Sequence, residues 1–395
     1  MAFVQHGDYR AASDLCATDA QEPYFGMRYS VAVTREFCGD WPRLIMSLDA
    51  PQAYRQVGDE GRETLLGYTP PAKWHGIPGT ATLAVHRLTR EICHQIEGFR
   101  ATGLVLRTAG LLALKLLQYS TAREGGGLPT LVLFANSFLA PDQRTQRLNH
   151  ELARLCNHPS VFLVGNHRQV STQSMIDCGV APAKAVAYDW PGARHPRDYA
   201  VKTRDTAQPI VIVYAATLTA TKGIGDLIEA VGILRARGVN VQLTAFGAGS
   251  EEAALQALAQ RVAPGRVTFP GRVDNDVLFA ALRQATLACV PSRPEWQEGG
   301  SLILTEALAA RTPAIISNQP MFARTFQDGE GLRLFQATAP ASLADAVQAA
   351  TGDPAEYARL SVGTAAAFAR VECRTTFGDL LQRWKAASCG PATMS

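Results

Sequence analysis

The feature that most limits how this chain can fold is an alternation of short apolar runs with amphipathic stretches. It runs through the sequence twice, with one break. In the first half, strands are expected at Ala2–Gln5, Arg43–Leu48, Gly103–Leu106, Leu131–Phe134 and Val161–Val164. Helices are expected over Tyr29–Phe37, Leu83–Gly98, Leu111–Tyr119 and Gln143–Cys156. Strands separated by helices pair in parallel and are covered on both faces, so the pattern dictates an α/β sheet. Between Asp189 and Pro209 proline and charge crowd together, which reads as an interdomain linker. The rhythm then restarts with strands at Ile210–Tyr214, Val241–Phe246, Val267–Pro270, Thr286–Val290 and Ala314–Ser317. Helices are expected at Ile224–Arg237, Glu251–Val262, Val277–Gln284 and Leu302–Ala310, and near Pro354–Arg370 and Thr376–Ala386. At 395 residues there is room for two such domains. The stretch from Gly58 to Gly79, rich in Gly and Pro, is expected to be a long loop.

Composition removes several classes of function. Hydrophobic residues make up 47% and charged residues 18%, a globular balance. A formal charge of +3 is too small to argue for a nucleic-acid surface. No apolar run is long enough to span a bilayer, and the start lacks a basic region followed by an apolar one, so a cytoplasmic protein is expected. The eight cysteines are scattered from Cys16 to Cys389 without a Cys-x-x-Cys pair, which argues for reduced packing thiols rather than a zinc site.

Chemistry concentrates in Pro291–Ala307, a strand end, a Gly-containing loop and a helix start. Ser301 stands where an N-cap belongs. The Gly299–Gly300 pair brings backbone N–H groups and a helix N-terminus to one place, which suits an anion. Glu298 and Glu306 bracket this turn. Eight helical steps would set them roughly 12 Å apart. Hydrolytic carboxylate pairs lie about 5–9.5 Å apart. The two acids therefore suit two parts of one long ligand.

Three other strand-end loops matter. Thr217–Gly223 ends in Lys222, an ammonium placed before a helix, without the spacing of a P-loop. Phe246–Glu252 carries Gly247 and Gly249, but Glu252 stands where a dinucleotide fingerprint needs a third small residue. Pro270–Val273 contributes Gly271, Arg272 and Val273. Taken singly, each is an ordinary turn.

Taken in order, they resemble the donor domain of the large retaining glycosyltransferase family with the GT-B fold, often called family four or glycosyl transferases group 1. The resemblance covers Pro209 to Ser317 well, and the N-terminal half only in its rhythm. It implies two Rossmann-like domains facing across a cleft: residues 1–203 for the acceptor and 204–370 for the donor. A C-terminal helix in 371–395 would pack back on the first. It implies transfer of a sugar from a nucleoside-diphosphate sugar, with retained anomeric configuration and no metal or other cofactor.

Glu298 matches the acid that contacts the donor sugar, Glu306 the acid on the ribose, and Lys222 the lysine on the diphosphate. Gly299, Gly300 and Ser301 match the loop touching phosphate or sugar. Gly271–Val273 matches the segment beside the base, so Arg272 and Val273 join the donor set with Gly247 and Gly249. Two positions depart from the family. Thr217 replaces an arginine that pairs with the diphosphate, a loss lysine cannot replace geometrically, so either another arginine such as Arg293 or Arg272 supplies the charge or catalysis is weakened. Gly300 replaces a bulky residue.

On the acceptor side, His6, Gly7 and Asp8 follow the first strand. His6 is expected to orient an acceptor hydroxyl, with Asp8 setting its tautomer. Trp74 and His75 offer a sugar-stacking alternative. Expected partners are the donor and a glycan, lipid-linked or small-molecule acceptor. Peripheral membrane contact through Leu111–Tyr119 is an option, and the oligomeric state is open. Two competing readings are a non-catalytic binding protein of the same fold, favoured by Thr217, and a nucleotide-sugar epimerase.

Overall fold

The computed structural model describes residues 1–16, 18, 26–58, 61–69, 80–139, 142–192, 194–296 and 300–388. The chain divides into two compact units. The first comprises Met1–Glu22, Gly26–Pro191 and Cys373–Ser395, and the second Pro23–Phe25 and Gly192–Glu372.

Among the described residues, the first unit is built on eight strands: β1 (Ala2–Gln5), β2 (Arg43–Ser47), β3 (Tyr54–Val57), β4 (Glu63–Gly67), β5 (Leu104–Arg107), β6 (Thr130–Phe134), β7 (Val161–His167) and β8 (Ala185–Tyr188). Their order is β3-β4-β2-β1-β5-β6-β7-β8. Among the described residues, only β3 runs antiparallel to its neighbour, β4. The expected long loop thus begins at the turn of a hairpin and contains its second strand, and residues 70–79, with Trp74 and His75, lie outside the described residues. Strand β8 and helix Arg168–Asp177 are not legible in the sequence, because the helix is polar and the strand is only four residues long.

Alternate strand residues serve two cores. Val4, Met46 and Leu106 face helices Thr80–Gly98, Gly110–Thr121 and Gln143–Cys156. Phe3, Ile45 and Val105 face helices Tyr9–Cys16, Met27–Cys38 and Phe377–Ser388. The last of these buries Leu380, Leu381 and Trp384 in the first unit.

Among the described residues, the second unit has six strands: β9 (Ile210–Ala215), β10 (Val241–Phe246), β11 (Val267–Gly271), β12 (Leu287–Val290), β13 (Ala314–Ser317) and β14 (Leu332–Phe335). The order is β11-β10-β9-β12-β13-β14, and neighbours are parallel. Strand order reverses beside β9, so the loops after β9 and β12 border the switch point where open α/β sheets take ligands.

The division at Pro191/Gly192 lies upstream of the expected 203/204 boundary. The cause is the anchoring of the proline-rich stretch to the second unit. Lys202 Nζ donates to the carbonyls of Leu282 and Ala285 and contacts Thr312 Oγ1 at 2.7 Å. Those carbonyls lie at the end of helix Asn275–Gln284, where the ammonium adds donors to the one that Thr312 Oγ1 gives Leu282 O. Burial pushes Lys202 down to about 7.

Candidate functional site

The site is built from loops that lean on one another through backbone. After β9 the chain forms a short 3-10 turn, Ala220–Lys222, and Gly223 follows at φ 70°. A Cβ on Gly223 would lie 2.0 Å from the Pro291 carbonyl oxygen, so the β9 and β12 loops touch only because this residue has no side chain. Arg293 N donates to Thr221 O at 2.9 Å and ties the same two loops. The loop after β10 packs as tightly. A Cβ on Gly247 would lie 2.0 Å from Ala216 O, and one on Gly249 would lie 2.2 Å from Leu218 O. Leu218 N donates to Ala248 O at 3.1 Å. Both glycines of the partial fingerprint therefore shape the β9 loop that carries Thr217 and Lys222.

Within this frame, Lys222 Nζ lies 4.2 Å from the centre of the Trp296 ring, a cation–π contact. Thr217 is exposed, with its carbonyl accepting from Thr219 N at 3.0 Å. Arg293, one of the two candidates to replace the missing arginine, is already paired. Its guanidinium makes a two-point pair with Asp226, Nε to Oδ2 at 2.9 Å and Nη2 to Oδ1 at 2.7 Å. That hydrogen-bonded pair also raises the Arg293 pKa. Arg272 is exposed at the end of β11, and Val273 is half-buried beside it.

Glu298 and Gly299 lie outside the described residues. Gly300 precedes helix Leu302–Ala309, and Ser301 caps that helix by accepting from Leu304 N at 3.4 Å. Glu306 sits one turn inside. Its carboxyl is largely buried, and that burial raises its pKa against the opposing help of a hydrogen bond from Asn275 and the charge of Arg194. Arg194 Nη1 lies 3.6 Å from Glu306 Oε1.

In the first unit, strand order also reverses beside β1. His6 sits there as expected, but its carboxylate partner is Asp49, not Asp8. His6 Nδ1 lies 2.9 Å from Asp49 Oδ2, and Gly7 N donates to that same oxygen at 3.0 Å. The other ring nitrogen, Nε2, lies 3.1 Å from Thr108 Oγ1. The His6 hydrogen bond holds the Asp49 carboxyl below its usual value. Asp8 is occupied elsewhere: it accepts from Tyr54 OH at 2.7 Å and from Arg10 N at 3.1 Å, at the start of helix Tyr9–Cys16. Asp8 lies one residue before a helix, where local capping wins. Asp49 follows the end of β2, next to β1, and the strand-end rule would have found it.

Comparison with known proteins fits this geometry. Residues 198–365 match the family model described as glycosyl transferases group 1. A phosphatidyl-myo-inositol mannosyltransferase of Mycobacterium leprae is 35% identical over 128 residues, covering 32% of this chain and 33% of that protein. The Mycolicibacterium smegmatis protein of the same name is 34% identical over 113 residues, 29% of this chain and 28% of that one. The match thus spans about a third of the length of these curated relatives. Among solved structures, sucrose-phosphate synthase from Thermosynechococcus elongatus covers 98% of this chain and 97% of its own, with TM-score 0.65 at 14% identity. The Anabaena protein HepE in complex with UDP covers 97% and 98%, with TM-score 0.59 at 15% identity. At such identities the likeness concerns the fold. Residues 198–365 are thus similar to the glycosyl transferases group 1 family, and the chain shares the GT-B fold of these solved structures.

Proposed function

We propose that the chain is a glycosyltransferase that moves a sugar from a nucleoside-diphosphate sugar to a hydroxyl acceptor with retained anomeric configuration. The observation that carries this reading is the convergence of Lys222 and the Ser301–Glu306 helix start on the switch point between β9 and β12. In this role Lys222 and the first N–H groups of helix Leu302–Ala309 neutralise the diphosphate as it leaves, without a metal. Glu306 accepts from the ribose. Glu298 holds the donor sugar, and Gly300 leaves extra room beside it. On the acceptor side, His6 positions the incoming hydroxyl, with Asp49 fixing the proton on Nδ1 and making Nε2, which faces Thr108 Oγ1, the accepting nitrogen. The mannosyltransferase relatives make a mannosyl donor the first to test.

The test begins with thermal shifts of the intact chain in uridine, guanosine, adenosine and thymidine diphosphates. Slow hydrolysis of the matching mannosyl and glucosyl donors follows, with the anomer of the released or transferred sugar read by NMR. The reading expects one base to stabilise the protein and one donor to turn over. No stabilisation by any diphosphate would overturn it. Stabilisation without turnover of any donor would favour the non-catalytic binding protein that the Thr217 departure brings to mind.

A further inference from the structure

Arg194 belongs to the proline- and charge-rich stretch that reads as a linker, yet its side chain is built into the second unit. Its guanidinium carbon lies 4.1 Å from the centre of the Phe279 ring, and Nη2 donates to Asp276 Oδ1. Phe279 and Asp276 both lie on helix Asn275–Gln284, so stacking and pairing fix the plane of the guanidinium. The other terminal nitrogen, Nη1, is directed at Glu306 Oε1 across 3.6 Å. That separation is too long for a hydrogen bond. Nη1 is also buried with no acceptor among the described residues. A buried N–H of a cation without an acceptor is unfavourable, and so is a buried carboxylate with spare lone pairs. The two groups face each other, each with capacity left over, at a spacing that neither closes.

We propose that Arg194 and Glu306 form a hydroxyl-binding pair that grips one ribose hydroxyl of the nucleotide. The proposal rests on the donor-site reading above and adds to it a residue from outside the strand-end loops. A hydroxyl has one donor and two acceptor lone pairs, so it can accept from Nη1 and donate to the carboxylate at once. A carboxylate or an ammonium on the ligand complements only one of the two. The pair thereby recognises one ribose hydroxyl by its joint donor and acceptor capacity and not by charge. Asn275, which hydrogen-bonds Glu306, holds the carboxylate from the other side.

The test is calorimetric titration of the full chain with uridine and guanosine diphosphates and with their 2′-deoxy and 3′-deoxy forms. For the parent protein, removal of one of the two hydroxyls should weaken binding about 10-fold or more, since it strands a charged donor and a charged acceptor. Arg194→Met should weaken the ribonucleotide by a similar factor and bring the ratio of ribo to deoxy affinity close to one. Arg194→Lys should restore part of the ratio. A parent protein that binds ribo and both deoxy forms equally overturns the proposal even if the Met variant fails to fold. So does a folded Arg194→Met variant with the parent's ratio, and in either case the donor-site reading stands. Absence of binding by every nucleoside diphosphate overturns that reading and this proposal together.

Discussion

The two sheets reverse strand order in the same way, but the loops at the two reversals are held by different means. In the second unit the loops after β9, β10 and β12 meet backbone to backbone, and Gly223, Gly247 and Gly249 each admit a carbonyl where a Cβ would stand. In the first unit the loops after β1, β2 and β5 are joined by side chains, His6 to Asp49 and His6 to Thr108. Gly7 there has no atom within 4 Å of a Cβ position. A site fixed by backbone contact imposes its glycines on the sequence and keeps one shape. A site fixed by exchangeable side chains can be rebuilt around another ligand.

The sharpest way to break the contrast is to add the same methyl group on each side. Gly223→Ala places a Cβ against Pro291 O and in a left-handed conformation. It should destabilise the second unit by about 2–5 kcal/mol, the sum of strain and overpacking. Gly7→Ala meets only the φ of 84° and should lose about 1–2 kcal/mol. Urea midpoints of the two variants measure the difference, and equal losses would remove the distinction.

The next effect in size comes from Lys222→Ala. Loss of a charged hydrogen bond of about 1.5–3 kcal/mol should weaken a nucleoside diphosphate roughly 10- to 150-fold and leave the nucleoside nearly unchanged. Thr217→Arg works in the opposite direction. Because Asp226 already holds Arg293, the corner should accept the new charge. Diphosphate binding should then tighten by about 1 kcal/mol, roughly fivefold, as for a solvated pair. Unchanged or weaker binding on calorimetry would mean that another cation already serves there.

The smallest effect belongs to the side-chain-held site. Asp49 has a depressed folded pKa, so its pairing with His6 stabilises fully above the unfolded value of about 3.9 and is lost as pH falls through the lower folded value. Asp49→Asn should flatten the acid limb of the stability curve below about pH 4 and slow transfer, with nucleotide affinity at neutral pH unmoved. A change in that affinity would show that the two reversals are not independent.

The same contrast explains what was legible in the sequence. Apolar strands between amphipathic helices announced both sheets, and Lys222, Ser301 and Glu306 announced themselves by position after strands β9 and β12. Gly247 and Gly249 were found as residues, while their packing against the β9 loop depends on distances no sequence displays. The partners missed were all long-range: Asp49 for His6, Asp226 for Arg293, and Arg194 for Glu306. A salt bridge between residues far apart leaves no periodic trace. The hairpin of β3 and β4 was hidden because its exposed residues carry no strong alternation.

The late return of the chain has a consequence for biogenesis. The first unit needs Leu380, Leu381 and Trp384 to cover the face formed by Phe3, Ile45 and Val105. The second unit is complete at Glu372. The chain leaves the first unit after Asp189 and Trp190 and re-enters beside the same place, where Asp189 N donates to Thr375 O at 3.0 Å. The second unit is thus an insertion in the first. On the ribosome the order of completion is reversed: the later-encoded unit closes its core while the earlier one still waits for its last helix. During that interval an apolar sheet face of the nascent first unit stays uncovered, and a chain halted at residue 372 would carry one finished unit and one adhesive one.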